Sequence, residues 1–232
     1  MNFKRDVEAN LGIRLSDEQM MQFNTYYEYL IEYNKITNLT RIIDRQEVYY
    51  KHFYDSLTLS NVIKCDSIVS IADMGSGAGF PSIPLKIAYP HLKITIIDSL
   101  GKRITFLEHL IYLLNLTDVH LIHDRVEIFA KNMQQTYDLV TARALGSLAL
   151  IVEMGLPMVK VNGFFIAPKG INFEQEVNEA KKAIHILGAE ISKIESFDLP
   201  YEYGQRANIL IKKVKHVEGY PRSFAQMKHK AL

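Results

Sequence analysis

One cysteine, no apolar run of membrane-spanning length and almost no net charge set the outer limits for this chain of 232 residues. Cys65 alone cannot form an intramolecular disulfide, and cysteine poverty fits a reducing compartment. The opening Met1–Asp6 lacks the apolar stretch of a signal peptide, so a soluble, cytoplasmic protein with no membrane partner is expected. A formal net charge of +1 excludes a chain that holds nucleic acid by its overall charge. The charge is nevertheless uneven. Between Ile211 and Lys230, Lys212, Lys213, Lys215, Arg222, Lys228 and Lys230 oppose a single acid, Glu218. Such a tail is either a footprint for phosphates or merely a solvated end.

No strand pattern precedes Ile68, and there is no internal repeat or low-complexity segment. Residues 1–66 read as a helical cap. Ser16 and Gln19 have the spacing of a capping box, Phe23, Tyr26, Leu30 and Tyr33 recur at helical spacing, and a second helical stretch covers 45–62. From 67 to 232 the chain alternates. Strand-like runs at 68–72, 93–97, 119–122, 137–141 and 163–167 are separated by helical patterns at 82–88, 102–114, 126–132, 147–159 and 173–187. Two last strand-like runs, 190–196 and 208–213, have no helix between them and must be antiparallel. The expected fold is α/β: a Rossmann-like, mostly parallel seven-stranded sheet with an antiparallel terminal hairpin. That combination suggests the class I S-adenosylmethionine-dependent methyltransferases.

The densest signal is Asp73-Met-Gly75-Ser-Gly77-Ala-Gly79-Phe80-Pro81, directly after the first strand. Glycines at every second position leave backbone bare for a ligand. A dinucleotide loop wants Gly-x-Gly-x-x-Gly, but here the third glycine comes one residue early and Phe80 stands in its place. The Asp-x-Gly-x-Gly-x-Gly pattern instead resembles motif I of the class I methyltransferases, in which the acid helps orient the methionine part of the cofactor. Asp98 ends the next strand, where a carboxylate can accept from both ribose hydroxyls. The plain alternative is that Asp73 and Asp98 only cap helices or turns. Pro81 and Pro84 place the helix start near Ser82, which can serve as its cap.

Several further stretches, in order and over nearly the full chain, resemble one family. They are Tyr33-Asn34-Lys35, Asn38-Leu39-Thr40, His52-Phe-Tyr-Asp55-Ser56-Leu57, Gly77 to Leu85, Asp98-Ser99-Leu100-Gly101-Lys102-Arg103, Arg125-Val126-Glu127, Ala142-Arg143-Ala144, Lys169-Gly170 and Tyr220-Pro221-Arg222. The family is ribosomal RNA small subunit methyltransferase G, also called glucose-inhibited division protein B. The resemblance implies methyl transfer from S-adenosylmethionine to N7 of a guanine in 16S ribosomal RNA, with that RNA or the small subunit as partner. It also implies cofactor contacts from Asp73, Gly75, Gly77, Phe80, Asp98, Val126, Glu127 and Arg143, and RNA contacts from Lys102, Arg103, Lys169 and Arg222. The chain departs from the family at Ser82, usually glycine, and at Ala225 and Met227, where the family's tail usually runs Gly-x-Pro.

Further absences narrow the chemistry. No Asn/Asp-Pro-Pro-Tyr/Phe follows the fourth strand, as exocyclic amino methylation usually requires, and Cys65 lies outside the catalytic loops, as a pyrimidine-carbon nucleophile would not. Guanine N7 has an in-plane lone pair and needs no general base, so positioning and charge stabilisation suffice. Arg143, after the fourth strand, is the expected catalytic residue, clamping the cofactor carboxylate, guanine O6 or a phosphate. His120 and His123 have no completing acid or cysteine, so no metal is expected. A monomer is expected. The rivals are a small-molecule or protein methyltransferase on the same fold, and a non-catalytic RNA-binding relic.

Overall fold

The helical start grows from local signals. The computed structural model, which describes residues 1–232, has α1 at Phe3–Leu11 and α2 at Asp17–Asn34. The Ser16–Gln19 capping box forms in both directions: Gln19 N–H donates to Ser16 Oγ (3.1 Å) and Ser16 N–H to Gln19 Oε1 (2.8 Å). The second helical stretch is irregular. It runs as α3 (Arg45–Val48), one π-helical segment (Tyr49–Tyr54) and α4 (Asp55–Leu57).

Seven strands follow: β1 Ser70–Met74, β2 Lys93–Asp98, β3 Val119–His123, β4 Tyr137–Thr141, β5 Val159–Lys169, β6 Ala189–Asp198 and β7 Gln205–Lys213. Between them lie α5 (Ser82–Ala88), α6 (Gly101–Leu113), α7 (Val126–Asn132), α8 (Leu148–Gly155) and α9 (Phe173–Ile186). The sheet order is β3-β2-β1-β4-β5-β7-β6. The strands from β3 to β5 pair in parallel, whereas β7 is antiparallel to both β5 and β6. The expected Rossmann-like sheet with its terminal hairpin is therefore present. A short helix, α10 (Phe224–His229), closes the chain.

Two hydrophobic clusters line the two faces of the sheet. One runs without interruption from Phe3, Phe23 and Tyr26 through Phe53 to Ile71, Phe80, Ile83 and Leu107. The helices before β1 thus share a core with the sheet's own helices. Strand order reverses at β1, with β2 on one side and β4 on the other. In open α/β sheets the crevice at the carboxyl ends of the strands at such a point takes the ligand.

Candidate active site

The crevice is built from strand ends. Asp73 sits in β1 opposite Ile96 of β2 and Thr141 of β4, and Asp98 is the last residue of β2. A cavity of about 640 Å³ opens there, a volume that suits a nucleoside-sized ligand. Gly75, Asp98, Val126 and Glu127, all expected at the cofactor, line it together with Arg103, Leu145, Leu150, Met154 and Phe224.

The loop after β1 is held from both sides. Gly75 N–H donates to Ile97 O (2.7 Å), and Gly75, Gly77 and Gly79 all have positive φ. A Cβ on Gly79 would lie 2.7 Å from Ile83 and 2.9 Å from the Tyr26 hydroxyl, so the loop cannot carry side chains there. Tyr26, fully buried in α2, donates its hydroxyl to Ala78 O within the loop.

The expected cap needs correction. Ser82 opens α5, but its side chain caps nothing. Asp73 takes that role, accepting from Ser82 N–H at 3.2 Å. Burial pushes the Asp73 carboxyl up to about 7, against the opposite pull of Ser82 and Arg143. Asp73 Oδ1, Ser76 Oγ and Ser82 Oγ are buried without a partner. Buried polar atoms in folded proteins are nearly all satisfied, so three orphans around one glycine loop mark a place made for a polar ligand. Asp98 also caps, accepting from Leu100 N–H (2.9 Å) and from Arg103 Nη1 (3.2 Å), yet a carboxylate has lone pairs to spare. Both acids therefore act as caps, and each keeps acceptor capacity that no protein group uses.

Arg143 does not lie in this cavity. It lines a second one of about 450 Å³ with Lys169, Arg206, Asp55 and Glu176, which meets the first at Gly146. Its Nη2 donates to Lys51 O and to His52 Nδ1, both at 2.9 Å, and its Nη1 lies 3.4 Å from Asp55 Oδ2. Because arginine can only donate, His52 Nδ1 must be unprotonated and Nε2–H donates to Thr40 Oγ1 (2.9 Å). Burial, and then the Arg143 charge, push the His52 imidazole down to about 3. Burial raises the Asp55 carboxyl, while Arg143 and Arg206 pull it down. The Lys51 carbonyl belongs to the π-helical segment, so this guanidinium is a bolt between the N-terminal helices and the residues that follow β4. Arg143, expected to clamp the cofactor carboxylate, guanine O6 or a phosphate, has its Nη atoms engaged by Lys51, His52 and Asp55.

Phe80 is not in the cavity wall either. Its ring stacks between His52 (4.5 Å) and Tyr26 (5.5 Å), with the Arg143 guanidinium 5.5 Å from its centre. Gly77 faces open space, with nothing within 4 Å of a Cβ built on it. Of the expected RNA contacts, Lys102 is exposed and Arg103 pairs with Asp98 inside the first cavity. Lys169 binds Glu176 (2.7 Å) beside Arg143. Arg222 is turned inward, its Nε and Nη2 donating to the buried Glu153 at 2.6 and 2.7 Å.

A family model described as rRNA small subunit methyltransferase G matches residues 19–206. The chain belongs to that family. A ribosomal RNA small subunit methyltransferase G from Acholeplasma laidlawii is 50% identical over 96% of this chain and 96% of its own. One from Bacillus subtilis is 48% identical, covering 92% and 91%. The chain is accordingly an enzyme, a methyltransferase. Solved structures similar in fold alone include M. jannaschii TYW2 in complex with AdoMet (TM-score 0.52, 16% identity, 62% of this chain and 69% of that one). Another is a putative caffeoyl-CoA O-methyltransferase from Staphylococcus aureus (TM-score 0.51, 16%, 79% and 91%).

Sequence reasoning missed Leu145, Leu150, Met154, Phe224 and Lys228 as cavity residues. One signal was available for the last two. Ser223-x-x-Gln226 repeats the capping-box spacing of Ser16 and Gln19, and it starts α10.

Proposed function

We propose that the chain transfers a methyl group from S-adenosylmethionine to N7 of a guanine in 16S ribosomal RNA, acting as a monomer in the cytoplasm. The observation that carries the cofactor half is the set of orphaned atoms on Asp73, Ser76 and Ser82 around the glycine loop, with Asp98 ending the neighbouring strand. The RNA half rests on the small-subunit rRNA methyltransferases to which the chain is about half identical.

S-adenosylmethionine supplies an electrophilic methyl on a sulfonium. Asp98 would accept from the ribose hydroxyls, Val126 and Glu127 would flank the base, and Asp73 with the loop 75–79 would fix the amino-acid end. Residues 1–66 serve as a cap that braces this loop through Tyr26 and Phe80. The target guanosine would enter by the second cavity, where Arg143, Lys169 and Arg206 supply positive charge and the junction at Gly146 leads to the cofactor. Lys102, exposed at the start of α6, adds an outer phosphate contact. The N7 lone pair attacks in line without losing a proton, which suits a site whose near histidine, His52, is held neutral. Arg143 acts here by holding the wall of the substrate cavity. The test is labelled methyl transfer to unmethylated 30S subunits and to deproteinised 16S rRNA, followed by chemical cleavage at N7-methylguanine. Strand scission at one guanine is expected, and methylation without scission would overturn the N7 assignment.

A further inference from the structure

The C-terminal segment, basic enough in sequence to pass for an RNA arm, is folded back onto the enzyme at three points. Gln134 Nε2 donates to Tyr220 O (3.2 Å), Arg222 pairs through two side-chain hydrogen bonds and one from its backbone N–H with the buried Glu153 of α8, and Met227 is buried in the core cluster shared with that helix. Between these anchors Ser223 caps α10 with a complete capping box, and Met227 N–H donates to Ser223 O (3.0 Å). The half-buried ring of Phe224 is thereby set in the wall of the 640 Å³ cavity. The Arg125 guanidinium lies 4.9 Å from its centre and the Lys228 ammonium 5.6 Å. Arg125 directly precedes Val126, so Phe224 stands at the end of the cavity formed by β3 and α7.

We infer that this C-terminal helix is part of the cofactor site, with Phe224 supplying an aromatic face to the purine of S-adenosylmethionine. The inference rests on the cofactor reading above. If Asp98 holds the ribose from the end of β2, the purine must extend toward the end of β3, where Val126 and Phe224 stand. A flat, weakly polar base gains most from an aromatic partner, and Phe224 has few ways to move. The Arg125 guanidinium and the Lys228 ammonium, both also in the cavity wall, hold the ring in place. The tail thus couples to cofactor binding: the ligand orders the segment, and the segment improves affinity for the ligand.

Binding of S-adenosylhomocysteine by calorimetry, and of 16S rRNA across a salt series, tests this on the full chain. Phe224→Ala is expected to weaken S-adenosylhomocysteine about tenfold, or ~1.4 kcal/mol, with the slope of RNA affinity against salt unchanged. Phe224→Tyr should recover most of the loss. In the unaltered protein, S-adenosylhomocysteine should also slow tryptic cleavage after Lys228 and Lys230, a readout that needs no variant to fold. Wild-type affinity in a folded Phe224→Ala protein, a loss confined to RNA binding, or absence of tryptic protection would each overturn the proposal. Failure of the unaltered protein to bind S-adenosylhomocysteine at all would instead remove the cofactor reading beneath it.

Discussion

A carboxyl group whose folded value lies near 7 sits in β1, one residue before its end, and this is costly before any ligand arrives. Burial disfavours the ionised Asp73, so its folded value exceeds its unfolded value of about 3.9. The folded state therefore binds the proton more tightly. The stability this confers is present below the unfolded value and is lost as pH rises toward 7, by roughly 1.4 kcal/mol per unit. Asp73→Asn, which cannot ionise, should make the ligand-free protein more stable than wild type at pH 8 while weakening S-adenosylhomocysteine at least tenfold. Urea unfolding at pH 5 and pH 8 checks the first part, and an identical pH dependence in both proteins would remove the argument. His52 works in the other direction, its stability contribution being lost as pH falls from about 6.5 toward 3. Arg143→Ala would leave Asp55 with Arg206 alone and His52 with an empty acceptor. A loss of about 2–3 kcal/mol of stability is expected, along with reduced turnover. Unchanged melting with reduced turnover would return Arg143 to direct contact with substrate.

Among elements, α2 and α8 each do more than fill space. Tyr26 of α2 makes one hydrogen bond to the glycine loop, on Ala78 O. Tyr26→Phe keeps the ring stack on Phe80 and leaves that carbonyl without its donor, costing about 1 kcal/mol. The cost should fall on the loop, so the KM for S-adenosylmethionine rises several-fold while kcat stays within twofold. A fall in kcat at constant KM would count against a loop brace. Glu153 of α8 is buried, and its charge is matched by Arg222 across 69 residues of chain. Arg222→Ala strands that carboxylate, and a destabilisation of about 3 kcal/mol is expected by urea unfolding. Loss of RNA affinity at full stability would restore Arg222 to the RNA surface. Local pattern reads well for elements whose signals lie within a few residues. The helices at Ser82–Ala88 and Val126–Asn132 and the strand at Tyr137–Thr141 fall where that pattern puts them. β1 begins two residues later than the apolar run, because a 3₁₀ turn at Cys65–Ser67 delivers Ile68 to the core before the strand starts.

On the scale of the whole molecule, the basic tail divides. Lys213 is buried and donates to Leu156 O (2.7 Å), and burial pushes it down to about 8; Lys212 is half-buried and Lys215 exposed. In RNA binding measured against salt, Lys212→Gln with Lys215→Gln should flatten the slope by ~0.7 for each phosphate no longer neutralised. Lys213→Met should leave the slope unchanged, and an equal effect from it would place Lys213 at the RNA. Counting charges along the chain could not separate these three, since a sum over neighbours says nothing about direction. By itself the sequence determined the alternation of strands and helices, the glycine loop and the acids that end β1 and β2, because spacing and backbone preference act over a few residues. Only the tertiary structure decided that Asp73 caps α5, that Arg143 bolts the N-terminal helices to the residues after β4, and that the tail walls the cavity at the strand ends. Each of those depends on a partner brought close by folding, and burial then sets its charge and its role.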